Sequence, residues 1–395
     1  MRLWPYIGAV STILLSWGCR DSESSEPPSS LRPDSRAQNS GVEDAGASSS
    51  GDHSGTGAAR FTQLSHELVE RLEGVRDGIV PDDKSCPPKR ITLAGGKGVI
   101  EINTDGDPDY TGSDSKLFVS STLVEGKKVI VKTVASRSMG PLKGMVDDIA
   151  FMKVFHDTGM VPRLFEIEPE TLPAQCAVRT MVSEFQGAYQ LKHLRKMKRT
   201  DRMKALKESA PKLIRILKAV HAEGLVHGDV HYKNFVFSDE NNVAKTLRII
   251  DFGRAMPFVD ADGVPLPDAK VDYGRWNPWH LSPWELEGWR KTQRDDMFRL
   301  AETLLRAGKL DTAFAALDAA EMDTIRKTLP TEASSNSKVR RTPQYAAFVL
   351  KLKRDRPFAE TVPPVYVEFY RYCLSLTALA VPDYDGWARR FETST

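Results

Sequence analysis

Asp229, His231, Asn234 and Asp251 are the residues whose types and spacing could do chemistry. They stand in Val226-His227-Gly228-Asp229-Val230-His231-Tyr232-Lys233-Asn234-Phe235 and, seventeen residues after Asn234, in Asp251-Phe252-Gly253. A carboxylate at 229 accepts the proton of an incoming hydroxyl and orients its oxygen. The amide oxygen of Asn234 and the carboxylate of Asp251 are hard ligands, of the kind a magnesium ion takes while keeping phosphate and water oxygens. His231 can donate to a phosphate oxygen but carries full charge only when protonated. Upstream, Lys132 ends the apolar run Val129-Ile130-Val131 and offers a point charge to a polyphosphate. Together these groups would neutralise a transferring phosphoryl group without covalent chemistry.

The elements that must position them follow from periodicity. Phe61, Leu64, Leu68, Leu72 and Val75 recur at helical steps and predict an amphipathic helix over 61–75, ended by Asp77-Gly78. Short β-branched runs at 91–93, 99–102, 117–119 and 129–131 predict strands, with Gly95-Gly96-Lys97-Gly98 as a hairpin turn. A helix is expected over 146–157, stopped by Gly159, then strands at 161–164 and 177–185. From Lys192 the chain reads as helical. Residues 192–207 hold eight Lys or Arg and one Asp, which reads as a solvated helix face, and 211–221 as a buried helix leading into the site. Residues 254–285 read as a loop, 294–310 as a helix, 330–337 as a polar break and 365–379 as the last helix.

From about Lys116 to Phe391 the chain resembles a eukaryotic-type protein kinase. Asp229, Asn234 and Asp251-Phe252-Gly253, with Lys132 on an upstream strand, carry the resemblance. Three pieces are similar to the casein kinase 1 group: Arg294-Asp295-Asp296 opening a helix, Phe369 to Tyr384 closing on Pro-Asp-Tyr, and Phe185-Gln186-Gly187-Ala188-Tyr189. The resemblance implies an α+β, two-lobed protein-kinase-like fold, with a small β-rich N-lobe over 91–184 and a larger helical C-lobe over 185–395. It implies ATP and Mg2+ as cofactors and a protein Ser or Thr hydroxyl as acceptor. Asp229 and His231 would be catalytic, and Asn234 and Asp251 would hold metal. Lys132, Asp148, Gly112, Lys116, Glu184 and Gly187 would bind ATP. Ser183 to Gly187 would be the hinge between lobes. Ser282-Pro283-Trp284-Glu285 is similar to the Ala-Pro-Glu end of the family's activation segment, and Asp296 to its helix acid that holds the catalytic loop.

Four positions depart from the family pattern. Gly228 stands where regulated members have the Arg that pairs with a phosphorylated loop, so the chain resembles members needing no such phosphorylation. His231 stands where protein kinases have Lys, and small-molecule phosphotransferases have His there. No Glu occurs between Lys132 and Glu166, so Asp148 is left to pair with the lysine, one methylene shorter. A shorter acid requires a closer helix or a bridging water. In the loop from Gly112, Asp114 and Lys116 replace glycines. Two rival readings stay open on these grounds: a small-molecule or sugar kinase, and an ATP-binding pseudokinase acting as an interaction module.

The remaining chain bears on location. Of 395 residues 41% are hydrophobic and 27% charged, with net charge +2, an ordinary globular balance that predicts no nucleic-acid partner. After Met1-Arg2, residues 3–18 are uncharged and mostly apolar, then comes Cys19. The ending at 14–19 resembles a bacterial lipobox, with Ser16 where Leu is usual. This predicts a lipoprotein signal peptide over 1–19, a membrane anchor on Cys19 and a place in the cell envelope. Arg20 after the Cys is similar to lipoproteins sorted to an outer membrane. Residues 20–60, rich in Ser, Gly, Pro and Asp, read as a flexible tether, followed by the helix and connection over 61–90. Cys86, Cys176 and Cys373 show no metal-ligand spacing.

Overall fold

The chain is seen in a computed structural model that describes residues 56–76, 89–103, 108, 110–111, 115–134, 139–168, 180–187, 189–271, 277–329 and 335–394. All of them belong to one compact unit, His53–Thr395. Cys19, Cys86, Cys176, Gly112 and Asp114 lie outside the described residues, as do 1–55. Among the described residues no helix is long and apolar enough to cross a membrane.

Helix α1 (Gly57–Arg76) comes first. Its onset at Gly57 falls inside the stretch expected to be tether. A hairpin follows, β1 (Arg90–Leu93) and β2 (Gly98–Glu101), with Ile91 opposite Ile100. Gly95, Gly96 and Gly98 take positive φ at its turn, which a side chain rarely adopts. Next come β3 (Tyr110–Thr111), β4 (Ser115–Val124) and β5 (Lys127–Val134). Helix α2 (Met139–Val154) precedes β6 (Leu164–Phe165) and β7 (Thr180–Glu184). Strands β3, β4, β5, β7 and β6 form one antiparallel sheet in that order. Its inward face meets the β1–β2 hairpin in a core of Ile91, Leu93, Ile100, Phe118, Val129, Val131, Phe165 and Val182. Alternation along β5 puts Val129 and Val131 into that core and turns Lys132 to the other side.

The rest is mostly helical. Strand β8 (Tyr189–Gln190) leads to α3 (Arg199–Ala222), β9 (Leu225–Val226) and β10 (Phe235–Phe237). Then come α4 (Val243–Thr246), β11 (Arg248–Ile249) and β12 (Met256–Pro257). Strands β11, β10 and β8 form one small sheet and β12 pairs with β9. The remaining helices are α5 (Pro283–Leu286), α6 (Gln293–Ala307), α7 (Thr312–Thr328), α8 (Asn336–Val339), α9 (Pro343–Arg354), α10 (Pro364–Ser375) and α11 (Tyr384–Thr393). The molecule is thus an α+β, two-lobed fold with a sheet-rich N-lobe and a helical C-lobe.

Several elements differ from expectation. Helix α2 starts seven residues before Val146, because Pro141 in its first turn loses no helical hydrogen bond. The basic stretch is partly buried: Arg202 is 8% exposed and donates to the carbonyls of Gly308 and Met197. Helix α10 is not the last element. Helix α11 follows, capped by Asp383, whose Oδ1 accepts from Gly386 N at 2.9 Å, and Trp387 and Phe391 are buried.

Candidate active site

The loop 227–234 leaves β9 and enters β10, and one side chain holds its start. Asp296, 1% exposed in the first turn of α6, accepts from His227 N at 2.7 Å and from Gly228 N at 3.0 Å. His221 of α3 lies 3.1 Å from the same carboxylate, with its other ring nitrogen 2.6 Å from the Tyr384 hydroxyl. Burial opposes ionisation of Asp296, but the His221 contact and the loop N–H groups outweigh it and hold its pKa below the ordinary range. At Gly228 φ is +72°, and a Cβ would stand 2.2 Å from the Arg254 carbonyl, so glycine is required. Lys291 Nζ donates to the Gly228 carbonyl at 2.8 Å.

Asp229 is gripped by arginine at one oxygen and held more loosely at the other. Its Oδ1 accepts from Arg299 Nη2 at 3.0 Å and lies 3.4 Å from Arg254 Nη1. Its Oδ2 lies 3.6 Å from His231 Nε2 and 3.5 Å from Asn234 Nδ2. Burial by itself would raise the carboxyl pKa; Arg299 and then Arg254 reverse this and hold it well below the carboxylate range. Burial pushes the His231 imidazole down to about 4, Asp229 opposing and Arg299 adding to it. Its ring stands edge-on to His280, 5.8 Å away, which burial pushes down to about 3. Both rings are therefore neutral near pH 7. Asn234 Nδ2 donates to the Asp229 carbonyl at 2.9 Å.

Lys132 faces this loop from β5. Its Nζ is 2.6 Å from Asp148 Oδ2 and 3.1 Å from Asp251 Oδ1. Burial would weaken its charge, but Asp148 and Asp251 outweigh burial and hold the ammonium well above the usual lysine range. Lys132 in turn is the chief reason that the Asp251 pKa is lowered. Asp148 Oδ1 accepts from Phe252 N at 2.9 Å, so one side chain on α2 holds both the lysine and the segment that carries Asp251. Phe252 is fully buried, stacked 4.0 Å from Phe151 of α2 and 5.2 Å from His227. Asp251 has φ +68°, a left-handed conformation that costs a non-glycine residue energy and recurs at functional sites.

A direct pair between Lys132 and the shorter Asp148 needs a close helix. Gly253 supplies the room: a Cβ there would stand 3.0 Å from the Gly144 carbonyl and 3.3 Å from Gly144 Cα. The glycine after Phe252 thus lets its backbone touch that of α2, whereas a Cβ on Gly144 would meet the Gly253 carbonyl at 3.4 Å, an ordinary contact.

A family model described as a protein kinase domain matches residues 111–376. The chain belongs to the protein kinase family. A probable casein kinase I homolog from Encephalitozoon cuniculi (strain GB-M1) is 26% identical over 94 residues, which is 24% of this chain and 28% of the relative's length. The chain thus spans little more than a quarter of that curated relative.

The kinase fold gathers Lys132, Asp148, Asp229, His231, Asn234 and Asp251 around one cleft. Other candidate positions are placed elsewhere. Lys116 is exposed on β4 opposite Thr133, and the loop tip with Gly112 is outside the described residues. The Glu184 carboxylate pairs with Lys127 at 3.0 Å rather than with any of the gathered groups. Gly187 has φ +103°, and a Cβ there would meet the Phe237 carbonyl at 2.8 Å, so it serves the turn into the C-lobe. Among the described residues no three acidic, His or Cys side chains form a self-sufficient metal cluster. Asp251 and Asn234 offer one carboxylate and one amide oxygen, a donor set that fits magnesium, which is usually held by one or two such ligands together with phosphates and water. Arg299, Arg254, Lys291 and Gly144 were not anticipated. A signal existed for Arg299: three residues after Asp296, it shares a helix face with the acid that holds the loop.

Proposed function

We propose that the protein is an ATP- and Mg2+-dependent kinase that phosphorylates a Ser or Thr hydroxyl of a protein substrate, tethered to the cell envelope through a lipidated Cys19. The observation that carries the reading is the Lys132 contact to Asp148 at 2.6 Å and to Asp251 at 3.1 Å, across from an ionised Asp229. ATP with magnesium, when bound, supplies the phosphoryl group and part of the charge neutralisation, and Asp251 and Asn234 are the residues that would hold the metal. Lys132 offers positive charge to nucleotide phosphates. Asp229 Oδ1 is engaged by arginine, so Oδ2 is the oxygen placed to orient an acceptor hydroxyl and take its proton. His231, neutral near pH 7, is available to donate one hydrogen bond but not to act as a fixed cation. The printed name of the casein kinase I homolog supports the Ser/Thr reading, and Glu285, which closes a capping box with Ser282 at the segment's end, supports a protein over a small-molecule acceptor.

The test is labelled ATP with Mg2+ and a generic protein acceptor, run beside a panel of sugars. Lys132→Ala and Asp251→Ala are each expected to lower transfer at least ~10²-fold. Full activity in both would sink the assignment, and label on a sugar alone would move it to the small-molecule kinases. Intact mass of the membrane-extracted protein tests the anchor: no lipid on Cys19 would remove it.

A further inference from the structure

The kinase reading leaves two cations unaccounted for. The catalytic loop has glycine at 228 and an imidazole at 231, so it carries neither of the positive side chains that the family pattern puts beside its base. We propose that Arg299 of α6 is the positioning residue that replaces them, seating Asp229 from below and tying residues 228–230 to the end of the activation segment. The proposal rests on the phosphotransferase reading of Asp229.

The geometry is a closed circuit of buried charge. Arg299 is 4% exposed and reaches the loop twice, through Nη2 to Asp229 Oδ1 at 3.0 Å and through Nε to the Val230 carbonyl at 3.1 Å. Its Nη1 lies 3.8 Å from Glu285 Oε2. Glu285 Oε1 lies 3.5 Å from Lys291 Nζ, which donates back to the Gly228 carbonyl at 2.8 Å. Between them the two ends of the circuit grip three consecutive loop residues, Arg299 holding Asp229 and Val230 and Lys291 holding Gly228. A planar guanidinium suits this fork, because its donors point at two acceptors at once. Glu285 is locked in turn, accepting from Ser282 N at 2.7 Å while Glu285 N donates to Ser282 Oγ at 3.1 Å. Every charge in the circuit belongs to a side chain of the protein. The charge normally contributed by a modified loop is covalently part of the chain here.

The groups facing Asp229 are Arg299 from α6, Arg254 after Gly253, His231 and His227 within the loop, and Asp251 beyond it. Arg299, at the shorter distance, is the principal cation holding Asp229 Oδ1 away from the acceptor side.

Arg299→Gln decides the matter. The variant is expected to keep its ATP·Mg2+ thermal shift within about twofold in apparent affinity while kcat falls at least ~10-fold at pH 7. Arg299→Lys, which keeps charge but not the fork, should lower kcat less, a graded loss that a merely structural role would not follow. Phosphatase treatment should leave wild-type activity unchanged. No loss of kcat in Arg299→Gln, or a loss matched by an equal loss of ATP·Mg2+ affinity, overturns the proposal. If Arg299→Gln does not fold, unchanged kcat in Arg299→Lys overturns it. The carboxyl 13C shift of Asp229 at pH 7, assigned with Asp229→Asn, needs no turnover: a changed shift in Arg299→Gln supports the proposal even if wild type transfers nothing, and an unchanged shift rejects it even if transfer is robust.

Discussion

At the scale of single residues, the informative exchange is Asp148 for the longer acid usual in the family. A shorter side chain reaches Lys132 directly because Gly253 lacks the Cβ that would press on the Gly144 backbone of α2. Gly253→Ala is expected to push α2 outward, break the 2.6 Å pair and raise KM for ATP at least ~10-fold. Asp148→Glu placed in that background restores reach by one methylene and should recover part of the loss. Steady-state kinetics of the two single variants and the double variant measure the coupling. Independent effects would show that the glycine contact and the acid's length are unrelated. Lys132 and Asp148 were legible from spacing along the chain. The close approach of Gly253 to Gly144 was not, because the two stand more than a hundred residues apart.

At the scale of elements, α1 is more than a cap on the domain. It spans from the C-lobe to α2, the helix that carries Asp148. Phe61 is 4% exposed within the main core, with Leu64, Leu68 and Val69 packed against it, and a Cβ on Gly224 would stand 3.1 Å from Ala58. Ser65 Oγ donates to Asp147 Oδ1 at 2.8 Å, one residue from Asp148. Phe61→Ala should cost about 3 kcal/mol, and Ser65→Ala about 1 kcal/mol, by urea unfolding. Because α1 braces α2, Phe61→Ala should also weaken the ATP-induced thermal shift; a stability loss with unaltered ATP binding would reduce α1 to plain packing. The helical face from Phe61 onward was readable from its period. What it packs on was not, and neither was α11, whose start after Pro382 is set by an Asp383 cap and by burial of Trp387 and Phe391.

At the scale of the whole molecule, two neutral buried imidazoles make stability depend on acidity. His231 and His280 have folded pKa values lowered to about 4 and about 3, while in the unfolded chain each titrates near 6.5. Above pH 6.5 neither state binds the proton, and the histidines contribute no pH dependence. Below it the unfolded chain takes up protons that the native site refuses, so stability falls as pH drops from 6.5 toward 4 and 3. By pH 5 the loss is about 2 kcal/mol for each ring. Urea midpoints at pH 7.5 and pH 5 check the slope, and His280→Phe should remove part of it. Because Asp295, its pKa raised by burial to about 7, adds stability as pH falls over the same window, the deciding comparison is the variant: a slope unchanged in His280→Phe would contradict the burial of that ring.

What the amino-acid sequence determined by itself is the order of chemically competent groups. Asp229, Asn234, Asp251 and Lys132 stand at separations that one fold brings together, and the apolar periods dictate a sheet-rich first lobe and a helical second. Those features are local or follow from short-range rules of hydrophobic spacing. Only the tertiary structure decided which cations serve the loop. Arg299 lies on α6 and Lys291 just before it, some sixty or more residues beyond Asp229, and neither sits in the family's motif positions. Their role comes from α6 being buried beneath the catalytic loop, where desolvated charges must find partners and the nearest ones are Asp229, Glu285 and the loop carbonyls.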